Sequence, residues 1–131
     1  MKDLDWSNLS FGYRQTDYNV RCYYRDGKWG EIEVCSDEYL KLHMAATCLH
    51  YGQEAFEGLK AYRCPDGKVR VFRMDENAKR LQSTCRGILM PEVPTEMFEE
   101  MVKKVVRLNQ EWIPTYESGA TLYIRPLLIG T

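Results

Sequence analysis

Apolar and polar positions change their spacing several times along the chain, and each change marks a predicted element. From Phe11 to Val34, Val20, Cys22 and Tyr24 alternate with Asn19, Arg21 and Tyr23, and Asp26-Gly27 then supplies a tight turn before Trp29 to Val34. That pattern predicts a β-hairpin. Between Ser36 and Cys48, Leu40, Leu42 and Met44 alternate with Lys41 and His43, which predicts a short strand. The stretch Leu49 to Tyr62, LHYGQEAFEGLKAY, obeys no single period. Tyr51, Ala55 and Leu59 fall at helical spacing while Leu59, Ala61 and their successors read as extended, so the expectation is a short helix bent at Gly58 into a strand. Cys64-Pro65-Asp66-Gly67 is a strong turn, and the alternating Lys68 to Arg73 after it predicts a second hairpin.

Helical periods follow. From Met74 to Met90, Ala78, Leu81, Cys85 and Ile88 form an apolar stripe behind Asp75, the predicted N-cap. After the break at Pro91 to Pro94, Thr95 is the predicted cap of a helix running to about Trp112. Its buried stripe is Phe98, Met101, Val102, Val105 and Val106, and its outer face carries the acid-first pairs Glu99 with Lys103 and Glu100 with Lys104. Gly119 to Thr131 reads as one strand with Thr121, Tyr123 and Arg125 on a common face. The fold class expected is α/β of the α+β type: an antiparallel-rich sheet with two main helices packed on one face.

Composition narrows the functional field. A chain of 131 residues, 44% hydrophobic, builds one core and one domain. A net charge of -1 offers nothing to nucleic acid or to a membrane surface. The start is acidic and polar, unlike a signal or transit peptide, and no apolar run approaches the roughly 18 to 20 residues needed to span a bilayer. Cys22, Cys35, Cys48, Cys64 and Cys85 lack zinc-type spacing, and His43 and His50 are not a helical metal pair, so no metal site is expected. Free thiols in a reducing compartment are the simplest account, which makes the expected location cytoplasmic.

Two arginines raise questions of chemistry. Arg80 lies on the flank of the first long helix with Thr84 and Gly87, where a solvated charge or an exposed salt bridge is the plain interpretation. Arg125 stands amid apolar neighbours and needs an anion, either an internal acid such as Glu31 or Glu57 or a ligand. Tyr51 and Phe56, five residues apart, are on pattern alone packing residues.

Four strings in order resemble one family. Phe11-Gly12 with Thr16-Asp17, the LHYG and FEG of the 49–62 stretch, the D-x-x-x-x-R-L spacing of Asp75, Arg80 and Leu81, and TLYIRP around Tyr123 and Arg125 resemble branched-chain amino-acid aminotransferases, the pyridoxal-phosphate enzymes of fold type IV. The resemblance runs from Phe11 to Thr131 and matches the small N-terminal domain. It implies that Arg80 grips the cofactor phosphate, as a planar guanidinium does well. It implies further that Phe11, Tyr51, Phe56, Tyr123 and Arg125 line the substrate pocket, Arg125 meeting the carboxylate of an acidic substrate. Amino acids and 2-oxo acids are the implied small-molecule partners, with a homodimer as the implied assembly of the full-length enzyme. No catalytic residue falls in the chain: the resemblance sets the Schiff-base lysine beyond Thr131, and Lys60 matches a non-catalytic position. The chain is thus expected to be truncated before the larger domain, inactive alone and not itself a binder of pyridoxal phosphate. D-amino-acid aminotransferases and aminodeoxychorismate lyases share parts of the pattern, and an interaction domain that kept the fold without the chemistry is the non-enzymatic alternative.

Overall fold

Two interrupted strands running side by side form the frame of the molecule. In the computed structural model, which describes residues 1–131, β5 (Glu54–Phe56) pairs antiparallel with β9 (Leu127–Ile129), and β6 (Leu59–Arg63) pairs antiparallel with β8 (Leu122–Ile124). The register runs unbroken from one pair to the other. Leu59 faces Ile124 and Phe56 faces Leu127, so continuing the ladder sets Glu57 against Pro126 and Gly58 against Arg125. The expected single strand over Gly119 to Thr131 is therefore two strands. Pro126 has no N–H to give the ladder, and the interruption is bridged by the Glu57 N–H donating to the Pro126 carbonyl at 2.9 Å.

The predicted helix bent at Gly58 is corrected in the same region. The helix comes earlier, as α1 (Thr47–Tyr51), and closes at Gly52, whose φ of 60° suits a residue without Cβ. From Ala55 the chain then alternates as a strand: Ala55, Glu57, Leu59 and Ala61 are buried, while Phe56, Lys60 and Tyr62 are exposed.

Both predicted hairpins form. β1 (Asn19–Arg21) pairs with β4 (Glu33–Cys35), and between them β2 (Tyr24–Arg25) and β3 (Lys28–Trp29) close on Asp26 and Gly27, at φ 51° and 77°. The second hairpin adds β7 (Val69–Val71) to the free edge of β6. The strand expected around Leu40 to Met44 is absent. Asp37 diverts the backbone, its carboxylate accepting the Tyr39 N–H at 3.0 Å and its carbonyl accepting Asn19 Nδ2 at 2.9 Å, and Leu40 and Met44 stay exposed.

α2 (Met74–Gly87) and α3 (Thr95–Leu108) cover one face of the sheet. Ala78, Leu81 and Cys85 from α2 meet Phe98, Val102 and Val106 from α3 over Ala55, Leu59, Ala61 and Ile124. Capping differs from expectation at both helices. Arg73, not Asp75, precedes α2 in a left-handed conformation (φ 47°), held by ion pairs to Asp75 at 3.3 Å and Glu76 at 3.0 Å. Pro94, not Thr95, precedes α3, and the helix stops at Leu108 before a 3-10 turn over Gln110–Trp112. Asn109 causes that stop. It is buried, its Oδ1 accepts the N–H groups of Asp17 (3.1 Å) and Tyr18 (3.0 Å), and its Nδ2 donates to the Tyr18 carbonyl at 2.9 Å. These bonds hold the segment that leads from Phe11 into β1. Of the two acid-first pairs on α3, Glu99 and Lys103 meet at 3.7 Å. No helix is long and apolar enough to cross a membrane.

Candidate functional site

The open face of the sheet, opposite the helices, collects aromatic and cationic side chains. Strand alternation puts Phe56, Lys60 and Tyr62 from β5 and β6 on that face, beside Tyr123 from β8 and Arg125 just past it. The Arg125 guanidinium lies 4.4 Å from the Phe56 ring centroid and 5.2 Å from that of Tyr123, and its Nη2 donates to Tyr123 Oη at 2.9 Å. Phe11, 96% exposed, meets Tyr123 edge to face at 6.3 Å. Four of the five predicted substrate residues are thus one cluster. Neither Glu31 nor Glu57 pairs with Arg125: its charge rests on two π faces and a phenol, both weak claims on a cation. The Tyr123 hydroxyl, already accepting from Arg125, keeps its own proton to donate.

Tyr51 is apart from that cluster. It lies at the C-terminal end of α1, 83% exposed, its ring 6.4 Å from that of His50.

Gly58 sets the depth of the cluster. A Cβ at this position would lie 2.4 Å from Tyr123 Oη and 3.1 Å from its Cζ, far inside contact distance. Gly58→Ala is expected to push the phenol off Arg125 and to lower stability by up to about 1 kcal/mol, less than overpacking in a core costs, because the displaced atoms end a partly exposed side chain. Urea midpoints of Gly58→Ala, Tyr123→Phe and the double variant check this. Removing the hydroxyl should recover part of the loss, and strictly additive costs would mean the two residues do not collide.

Arg80, on α2, meets Glu57 on the helix-covered face of the sheet. Its Nε donates to Glu57 Oε1 at 2.7 Å and its Nη2 to Oε2 at 2.6 Å, a two-bond clasp completed by Asn77 Nδ2 at 2.9 Å. Glu57 is the buried partner, with side-chain exposure of 2% against 68% for Arg80. Burial alone pushes the Glu57 carboxyl up. The hydrogen bonds from Arg80 and Asn77, the guanidinium charge and a backbone bond at Gly58 outweigh it and hold the group below the usual carboxylate range. Its contribution to stability is therefore complete above that range and is lost as the pH falls through the depressed value. The carboxylate in turn raises the Arg80 pKa.

Sequence reasoning overlooked Glu57 as the partner of Arg80, and Asn77 with it. The signal was present: in the row Ala55, Glu57, Leu59, Ala61, period 2 carries one carboxylate into an apolar face, where it requires a cation. Elsewhere, the groove along α3 is lined by Glu96, Glu99, Glu100, Lys103, Lys104 and Arg107, solvated charges of both signs with no apolar wall.

The chain is 55% identical over 130 residues, 99% of its length, to the branched-chain-amino-acid aminotransferase of Haemophilus influenzae. It belongs to the branched-chain aminotransferase family. Solved structures agree with the assignment. The branched-chain amino acid aminotransferase of Escherichia coli superposes with a TM-score of 0.64 at 28% identity, covering 88% of this chain and 33% of that one. A T.th. branched-chain amino acid aminotransferase complexed with N-(5'-phosphopyridoxyl)-L-glutamate gives 0.59 at 30% identity, covering 72% of this chain and 29% of that one. No family model matches the chain. Among branched-chain aminotransferases it spans a minor share of the length, 38% of the Haemophilus protein.

Proposed function

We propose that the chain is the small domain of a longer, pyridoxal-phosphate-dependent aminotransferase that exchanges amino groups between leucine, isoleucine or valine and 2-oxoglutarate. The observation that carries this reading is the match along 99% of the chain to a protein named for that activity. A pyridoxamine 5'-phosphate complex among the structural neighbours supports the cofactor. The residues present fit a phosphate. Arg80 is mostly exposed and spends only its Nε and Nη2 on Glu57, so both Nη1 hydrogens and one on Nη2 remain to donate.

When bound, pyridoxal phosphate supplies the electron sink that makes an amino acid's α-proton labile. The residues of this chain do the holding. Arg80 binds the phosphate, while Phe11, Phe56 and Tyr123 present aromatic surface to a branched aliphatic side chain. Arg125 and the Tyr123 hydroxyl donate to the distal carboxylate of the acidic substrate. Lys60 is given no catalytic part, and the lysine that carries the cofactor belongs to the remainder of the polypeptide. Tyr51, exposed and making none of the cluster's aromatic or cation–π contacts, suits a homodimer in which each site borrows residues from its neighbour. Free thiols at all five cysteines suit a cytoplasmic enzyme.

Given pyridoxal phosphate, leucine and 2-oxoglutarate, the 131-residue chain is expected to release no glutamate, and the polypeptide of the relatives' full length to release it. Turnover by the chain alone, with borohydride fixing the cofactor to one of its lysines, would overturn the division of labour. An inert full-length polypeptide would overturn the assignment itself.

A further inference from the structure

We infer that Glu57 is a positioning residue: its buried carboxylate clasps one edge of the Arg80 guanidinium so that the other edge is presented, already oriented, to a phosphate monoester. The inference rests on the proposed function, in which Arg80 meets the phosphate of pyridoxal phosphate.

A core position is a poor place for a carboxylate. Glu57 stands between Ala55 and Leu59 in a buried row, and its side chain is 2% exposed. An apolar residue there would serve stability as well or better, since the desolvation of a buried ion pair commonly cancels its attraction. What the carboxylate adds is geometry. Two parallel hydrogen bonds of 2.7 and 2.6 Å fix the guanidinium plane, and Asn77 at 2.9 Å fixes the carboxylate. Arginine has five N–H donors, and the clasp uses two of them. The Nη1 and Nη2 edge that remains matches the paired oxygens of a phosphate. A free arginine on a helix flank would lose its rotamer freedom on binding, whereas this one has lost it on folding.

The same residue ties the two cationic groups together. The Glu57 N–H donates to the Pro126 carbonyl at 2.9 Å, next to Arg125, while Phe56 stacks on Arg125 and Gly58 abuts Tyr123. Three consecutive residues therefore fix Arg80 relative to the carboxylate-binding pair.

A carboxylate beside a phosphate site can act in two opposite ways, and the sign of the effect separates them. As a positioning group it strengthens phosphate binding; as a competing anion it weakens it. The test is a spectral titration of the full-length polypeptide with pyridoxal phosphate and with pyridoxal, which lacks the phosphate. Glu57→Gln keeps the volume and removes the charge and one acceptor. It is expected to weaken pyridoxal phosphate by at least about fivefold and to leave pyridoxal unchanged. In an Arg80→Ala background it should have no further effect, because nothing is left to position. Arg80→Lys keeps the charge but cannot offer one edge to each anion, so it should lose the preference for the phosphorylated ligand as Glu57→Gln does. If Glu57→Gln does not fold, Asn77→Ala, which leaves both charges but frees the carboxylate, decides the matter: it should lower the preference for the phosphorylated ligand, and an unchanged preference overturns the positioning role. Tighter or unchanged pyridoxal phosphate binding in Glu57→Gln, with Arg80→Ala still weakened, overturns the positioning role and leaves the functional assignment standing. A parent protein that binds pyridoxal phosphate no better than pyridoxal overturns both.

Discussion

In the full-length aminotransferase, Arg125→Met is expected to lower kcat/KM for glutamate or 2-oxoglutarate by at least about tenfold more than for leucine. On the proposed function, the pocket would have to accept two substrates in turn, one with an aliphatic side chain and one with a distal carboxylate. Arg125 meets that demand because no protein carboxylate claims it. Its guanidinium rests 4.4 Å from Phe56 and 5.2 Å from Tyr123 and gives one hydrogen bond to the Tyr123 hydroxyl. An incoming carboxylate would gain charge-assisted bonds from Arg125 and a further donor from Tyr123, while an aliphatic side chain would meet the Phe56 and Phe11 rings and leave the cation hydrated. Methionine keeps the reach and the apolar stem, so the substitution separates charge from packing. Steady-state kinetics of both half-reactions provide the measurement. Equal losses with both substrates would identify Arg125 as a strut of the strand, and its part in substrate recognition would have to be abandoned.

The second large effect lies in the core and bears on whether the site exists at all. Phe98 is 3% exposed and begins the buried row Phe98, Val102, Val106 that seats α3 on α2 and on the sheet. Its truncation to alanine removes a ring from a close-packed cluster whose backbone is fixed by two helices and cannot collapse into the gap. The expected cost is about 3–5 kcal/mol, a large part of the roughly 5–15 kcal/mol by which such domains are stable. In urea, Phe98→Ala should lower the unfolding midpoint of the chain with little change in slope. Leu127→Ala is the control: that side chain is 52% exposed on the open face, and its loss should move the midpoint far less. Comparable losses from the two would mean that α3 does not seat on the sheet as described.

The sequence was a good guide to elements whose logic is local. Asp26-Gly27 and Cys64-Pro65-Asp66-Gly67 announce their turns because few residues tolerate those backbone angles. The spacing Ala78, Leu81, Cys85 announces a helix because only that period gathers them on one face. The caps were less legible. At α2, Arg73 adopts a left-handed angle that its own propensity disfavours, and it pairs there with two acids in the first turn of the helix. The strand drawn through Leu40 failed because Asp37 turns the backbone just ahead of it: alternation is necessary for a strand but does not suffice to make one.

What the sequence determined by itself is therefore the two hairpins, the two long helices, the α+β class and, through four short strings, the family. What only the tertiary structure decided is which residues meet. Arg125 had two acids as possible partners and takes neither, because the strand register puts it on the open face beside the Phe56 ring. Glu57, read as a candidate for Arg125, instead faces the helices and clasps Arg80, because its row alternates inward while that of Phe56 alternates outward. The difference is one of range. Backbone propensity and periodicity act over a few residues and are written in order along the chain. The pairing of residue 57 with residue 80 depends on where α2 crosses the sheet, and that is set by the packing of Ala78, Leu81 and Cys85 on Ala55, Leu59 and Ala61. No local pattern encodes that crossing, since a helix of the same sequence could lay its apolar stripe on the sheet at another angle and leave both charges in water.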